Sequence, residues 1–341
     1  MPTPTFTGLQ DDADRSSFLL MGGQEQRTII AYKRTLKEIN GHLATAFRKY
    51  ADADGELSLA DMAKYGRMAE LEKSIVAEAR KLGAKQVRQT DSALTDIYTD
   101  QYLRTKHGLE FATGIPMLLG GKSMFGAADP VTIAQAVNNP LDLIGWQDRS
   151  KFAINTMTRQ IRDEIGAGII QGHGYTKIAR AIKNRMDIGA GKALRIVRTE
   201  AHRVQVLGRL EMLDKAQGYA VMDGETVNRV WRSTLDNRTR PSHQAMDGQF
   251  ADKDNLFTIE GIKTIGPGNS GVARIDVNCR CGVVLQWDGE TPRERSAKDP
   301  ATGKSKIIPY QNYKDWAKDK DIKPPKTPKR RPRKTRKKKA A

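Results

Sequence analysis

The sequence predicts an α+β protein that is mostly helical, with an N-terminal helical section, then a small α+β domain of short antiparallel strands, and a disordered basic C-terminal tail. Three observations carry this. Between residues 25 and 216 apolar side chains recur mainly at helical spacing, and Gly and Pro gather in short clusters between the runs. After Gly218 the pattern changes to short runs rich in Val, Ile, Trp and Thr, parted by turns of Gly, Asp and Asn. Residues 323–339 hold eleven Lys and Arg, several prolines and no acid, a composition that cannot build a packed core.

Taken in order, residues 1–20 mix Thr, Pro, Asp and Gly with little periodicity and are expected to form a flexible arm. Residues 21–107 form the N-terminal helical region. Ile29, Leu36, Ile39, Leu43, Ala46 and Phe47 mark one amphipathic helix over about 25–50. Ser58 with Asp61 is a capping signature for a second helix to about Leu82, and a third covers about 84–106. The Asp-rich turn between the first two is no calcium loop: with Gly55 on the obligatory glycine, the first ligand position is Tyr50.

Residues 108–188 are a helical middle region. Its Gly121-Lys122-Ser123 invites a phosphate-loop reading, but Pro116 stands where that motif needs glycine. Asp129-Pro130 opens a short helix, a long one runs from Trp146 to about Ile170, and another covers 175–186 after a Gly-rich turn. Residues 189–317 are the motif-bearing domain, followed by the basic tail, 318–341. In this domain a helix over about 190–216 is followed by strands at 219–222, 228–234, 271–277 and 282–287. A glycine-rich loop, 253–270, is expected to order against a partner, and a short helix over 310–316 closes the domain.

The chemistry-bearing residues fall in three blocks. On the helix, Arg198-Thr199-Glu200 places a carboxylate on the same face as Ile196 and Leu207. A buried, unpaired charge costs several kcal/mol, so Glu200 needs a partner: Arg203 locally, or Arg238 or Arg240 from the next block. A structural salt bridge is the favoured role, and a general base or metal ligand the alternative. The second block runs Trp231 to Asp247 and gathers Asp236, Arg238, Arg240, His243 and Asp247. The third, Asn278-Cys279-Arg280-Cys281, holds both cysteines of the chain.

Together the three blocks resemble the Mu-F-like minor head proteins of tailed bacteriophages; the likeness covers roughly residues 110–316, with its sharp motifs between 195 and 287. It implies a Mu-F-like head morphogenesis domain over 189–317 in a virion protein. Such a protein would associate with the portal, and with the major capsid or scaffolding protein, would enter the procapsid in few copies, and would help in genome packaging or delivery. Its expected location is the capsid interior at the portal vertex, and the host cytoplasm during assembly.

Read from the residues, Cys279, Cys281 and His243 could supply three zinc ligands, with Asp247, Asp236 or His202 as a fourth. The alternative is a Cys-x-Cys strand burying both thiols as small apolar groups, with His243 orienting the aspartate loop. A catalytic reading, with Cys279 as nucleophile and His243 as base, or a nuclease or transferase-like enzyme built on the same domain, is the weaker option. No enzymatic activity is therefore expected.

Of the net charge of +18, the eleven cations of 323–339 leave +7 for everything before them. A near-balanced body with a cationic end predicts non-specific, salt-sensitive contact with double-stranded DNA through Lys329, Arg330, Arg331, Arg333, Lys334, Arg336, Lys337, Lys338 and Lys339. No membrane association is expected, because apolar runs stay far below the 18 or so residues of a span, and the start of the chain lacks a signal-peptide pattern.

Overall fold

A computed structural model describes residues 6–113, 125–139, 144–223, 227–287 and 293–321. The Gly-Lys-Ser segment and residues 322–341, with the tail's proposed DNA-contacting set, lie outside the described residues; the first residues of the tail expected over 318–341 instead end the helix Tyr313–Asp319.

Three long helices form the frame: α1 (Phe6–Tyr50), α3 (Arg67–Thr113) and α6 (Tyr175–Asp223), with α2 (Leu59–Ala63), α4 (Pro130–Asn138) and α5 (Trp146–Ile170) packed against them. The capping signature holds: Ser58 Oγ accepts the Asp61 amide at 3.0 Å. The chain then breaks at Tyr65 and Gly66, both left-handed, before α3 begins.

The arm expected over residues 1–20 is corrected by this structure, since the chain is helical from Phe6. The buried stripe of α1 begins with Gln10, Ala13, Ser17, Gln24 and Thr28, which keep helical spacing but are mostly polar. A search for apolar periodicity passes over them. They are buried because α3 answers with its own polar stripe: Ser17 meets Gln101 at 2.9 Å, Gln24 meets Thr90 at 3.3 Å, and Tyr32 meets Gln86 at 3.3 Å. Each satisfied pair contributes about 1 kcal/mol net, whereas leaving either partner unmet would cost more.

Two expected helix breaks are absent. The second and third helices join through Gly83, where a Cβ would meet Ile154 only at ordinary contact distance. Residues 175–186 and 190–216 form one helix through Gly189, where a Cβ would lie 2.3 Å from Met157 Sδ and 3.2 Å from Tyr32. That glycine allows close helix approach and does not end a helix. Further along α6, a Cβ at Gly208 would fall 2.5 Å from the Tyr98 carbonyl oxygen, so α3 and α6 touch backbone to backbone there. Helix α6 continues to Asp223 and absorbs the strand expected at 219–222.

One apolar core lies among α1, α2, α3, α5 and the start of α6, around Ile39, Leu43, Ile75, Ile161 and Ile182. A second joins the later turns of α6 to the C-terminal lobe through Leu210, Leu213, Trp231, Phe257 and Leu285. In that lobe β1 (Val227–Arg232) pairs antiparallel with a strand at Gly282–Trp287, placing Trp231 opposite Val283.

Between these two strands lie α7 (Pro241–Ala245), a hairpin of β2 (Phe257–Ile259) and β3 (Ile262–Thr264), and one helical turn, α8 (Ala273–Asp276). The strand at Gly282–Trp287 is thus β4. The hairpin lies inside the expected loop; its turn residues Glu260 and Gly261 both have positive φ, as a tight two-residue turn requires. The strand expected at 271–277 is the turn α8.

A second hairpin, β5 (Glu294–Lys298) and β6 (Ser305–Pro309), and the closing helix α9 (Tyr313–Asp319) complete the lobe. Leu235, Ala297, Tyr313 and Trp316 form their small core. The first turns of α1 reach this lobe as well. The Gln10 side chain accepts the Leu285 amide at 3.0 Å and donates to its carbonyl at 3.4 Å, capping an edge of β4.

Candidate functional site

The motif residues come from α6, from the turn after β1 and from the segment before β4, and the structure sorts them into four local groups. Glu200 is fully buried and paired twice, to Arg203 Nε at 2.8 Å and to Arg149 Nη2 at 2.5 Å. The tertiary partner is therefore Arg149 of α5, not Arg238 or Arg240. Arg238 is largely exposed and only 3.9 Å from Asp236, while Arg240 donates to the carbonyls of Arg274 and Val277. Glu200 faces the helical bundle, and the polar turn lies elsewhere.

Arg198, two residues earlier, projects differently and makes a bidentate pair with Glu25 of α1 at 2.8 and 2.7 Å. Thr199 accepts the Asn278 amide at 3.3 Å, which ties the helix to the cysteine segment.

Two aspartates organise the turn. Asp236 accepts from both terminal nitrogens of Arg280, from the Arg238 amide at 2.9 Å and from Thr239 Oγ1 at 3.0 Å. Burial pushes its carboxyl up, but Arg280 and these hydrogen bonds outweigh that and hold it below the ordinary aspartate value. Asp247 accepts from Arg295 at 3.0 and 3.1 Å, from the Ser233 amide at 2.7 Å and from the Tyr313 amide at 2.6 Å. Both side chains of that pair are buried, and together they join β1, β5 and α9. Sequence reasoning missed Arg149, Arg280 and Arg295 as partners. An arginine in a short strand or helix gives no local signal of the carboxylate it will meet.

The fourth group is His243, Cys279 and Cys281, all buried. His243 Nδ1 stands 3.5 Å from each sulfur, and the three ligand atoms lie within 4.8 Å of one another. Both thiols are free. The cysteines precede β4 rather than lying on a strand, as expected for the apolar alternative, and the left-handed Asn278 sets the turn that brings both sulfurs to one imidazole. A hydrogen bond from Cys279 pushes the Cys281 thiol down, and one with His243 adds to it. Trp231 packs edge-on against the His243 ring at 5.9 Å. Asp236 and Asp247, two of the three suggested fourth ligands, are committed to Arg280 and Arg295.

His202, the remaining one, lies on α6 and is buried, and burial pushes its imidazole down to about 4. It lines both clefts that flank the cysteines, one of about 450 Å³ beside Asp14 and Arg209, the other of about 720 Å³ beside Arg198, Arg238 and Arg240. Phe18 of α1 borders both.

Comparison of the whole chain with known proteins shows its class: the chain belongs to the Mu-F-like family of phage minor head proteins. The family described as Phage Mu protein F like protein matches residues 159–284, which hold every motif residue of the three blocks. The minor head protein GP7 of Bacillus phage SPP1 is 31% identical over 313 residues, 91% of this chain and 97% of GP7. An NAD(+)–arginine ADP-ribosyltransferase EFV of Enterococcus faecalis (strain ATCC 700802 / V583) is 32% identical over 163 residues, 48% of this chain but 32% of that protein. No solved structure matches. No helix among the described residues is long and apolar enough to cross a membrane.

Proposed function

We propose that this phage head protein works at the portal vertex, docking on portal and capsid or scaffolding subunits through its helical half and holding duplex DNA through residues 323–339 during packaging or delivery. The observation that carries the reading is the near end-to-end relationship to a minor head protein. The charge division supports it: a body of +7 suits protein contacts, and a separate strip of eleven cations suits a polyanion. Zinc is the cofactor we assign to His243, Cys279 and Cys281, because their donor types and spacing suit it.

A non-enzymatic role is favoured over a nuclease or transferase. Cys279 and His243 are buried, and the acids of the motif are engaged by arginines, which leaves little for acid–base work. The test is removal of residues 322–341, which leaves α9 whole, from the full chain. The truncated protein is expected to keep its thermal transition and to lose retention on duplex DNA across a salt series. Equal retention by both forms would overturn the DNA role.

A further inference from the structure

The His243, Cys279 and Cys281 group offers three donors, one short of a tetrahedral set, and His202 of α6 is buried beside the same cleft. In a tetrahedral zinc site with bonds of about 2.3 Å to sulfur and 2.0–2.1 Å to nitrogen, a nitrogen and a sulfur ligand stand about 3.5 Å apart. His243 Nδ1 keeps that separation from both sulfurs, so both nitrogen–sulfur edges already have the required length.

His202 meets the same cavity as Cys279, Cys281 and His243. Neither of its ring nitrogens makes a hydrogen bond of ordinary geometry, although the residue is buried. Gln205, the polar neighbour on its own helix, gives its amide nitrogen to Asp14 at 2.9 Å. A buried imidazole whose one polar neighbour is a poorly placed Gln205 amide shared with Asp14 needs an explanation, since polar groups in protein interiors are almost always well paired.

Gly268, at φ +76°, completes the setting. A Cβ there would lie 3.0 Å from His202 Cδ2, so the glycine-rich loop is shaped to close over the ring. The cations Arg198, Arg238, Arg240, Arg280 and Lys298 also line the cavity, with one carboxylate, Glu25, which Arg198 already holds through two hydrogen bonds.

We infer that His202 is the fourth ligand of a zinc centre completed by His243, Cys279 and Cys281, and that the metal clasps helix α6 to the C-terminal lobe. This rests on the zinc assignment made above. His202 stands outside the group whose donor atoms lie within 4.8 Å of one another, so it joins by a side-chain rotation when the ion enters. A clasp has a physical use here. The lobe is built from three two-stranded sheets, and such pairs are marginal alone. A metal bridge from strand and turn to a long helix fixes them in one arrangement, as structural zinc does in other small domains.

The test is zinc K-edge absorption on the full chain, purified without chelator and loaded with one equivalent of zinc, beside His202→Ala and Cys281→Ser. Two sulfurs and two imidazoles are expected for the natural chain, and two sulfurs with one imidazole for His202→Ala. His202→Ala should also bind zinc ten- to a hundredfold more weakly, read by competition with a chromophoric chelator. Two sulfurs with one imidazole in the natural chain would overturn the role of His202 and leave the three-ligand zinc site standing. Absence of stoichiometric zinc from the natural chain, with circular dichroism showing it folded, would overturn both. Cys281→Ser should lose one sulfur; an unchanged spectrum would place the metal elsewhere and overturn the proposal too.

Discussion

Replacing Glu200 by Ala tests the ion-pair reading most directly. The carboxylate is fully buried, Arg203 beside it is 3% exposed, and Arg149 reaches it from another helix. With the carboxylate gone, Arg203 keeps only the Val137 carbonyl, at 3.2 Å, and a buried guanidinium is left without a counter-charge. Breaking a buried pair in this way costs about 3–5 kcal/mol. With an unfolding entropy of about 2.1 cal/mol/K per residue, a cooperative chain of 341 residues shifts by roughly 1.4 °C per kcal/mol, so the melting temperature should fall by about 4–7 °C. Differential scanning calorimetry at fixed pH and salt is the assay, with Glu200→Gln as the shape-conserving control. Gln keeps the hydrogen bonds without the charge and should fall between. A loss below about 1 kcal/mol in Glu200→Ala would refute the argument, because the arginines would then not need the acid.

The acid limb of stability should depend on Asp236. Its carboxyl is held below its ordinary value in the folded state, so its contribution is complete above about pH 4 and is lost as pH falls through the lowered value. Asp236→Asn should flatten that limb in urea titrations at pH 2.5–5 relative to the natural chain; parallel curves would contradict it. Helix packing makes opposite demands on two glycines of α6. Gly208→Ala should destabilise by about 1–3 kcal/mol, because the new methyl meets the Tyr98 carbonyl at 2.5 Å. Gly191→Ala, with nothing within 4 Å, should stabilise by about 0.5–1 kcal/mol, and thermal melts that reversed this order would show the approach to be misjudged.

The sequence by itself determined what local chemistry and period can encode. The capped turn at Ser58, the helix Trp146–Ile170, the strand pair flanking the motif turn and the closing Tyr313–Asp319 helix all carry their signals within a few residues. The same holds for the membership of the His243, Cys279 and Cys281 group, because the two cysteines and the motif histidine stand out as zinc-type donors.

The tertiary structure alone decided where polar residues are buried. Gln10 and Ser17 read as a frayed arm until β4 and α3 supply their partners, and Gly189 reads as a helix break until Met157 and Tyr32 press against it. Glu200 announces that it needs a cation, but the choice of Arg149 over Arg238 depends on which helix crosses that face. Hydrogen bonds and ion pairs between distant segments are satisfied by position, and the local pattern of a chain holds no record of position.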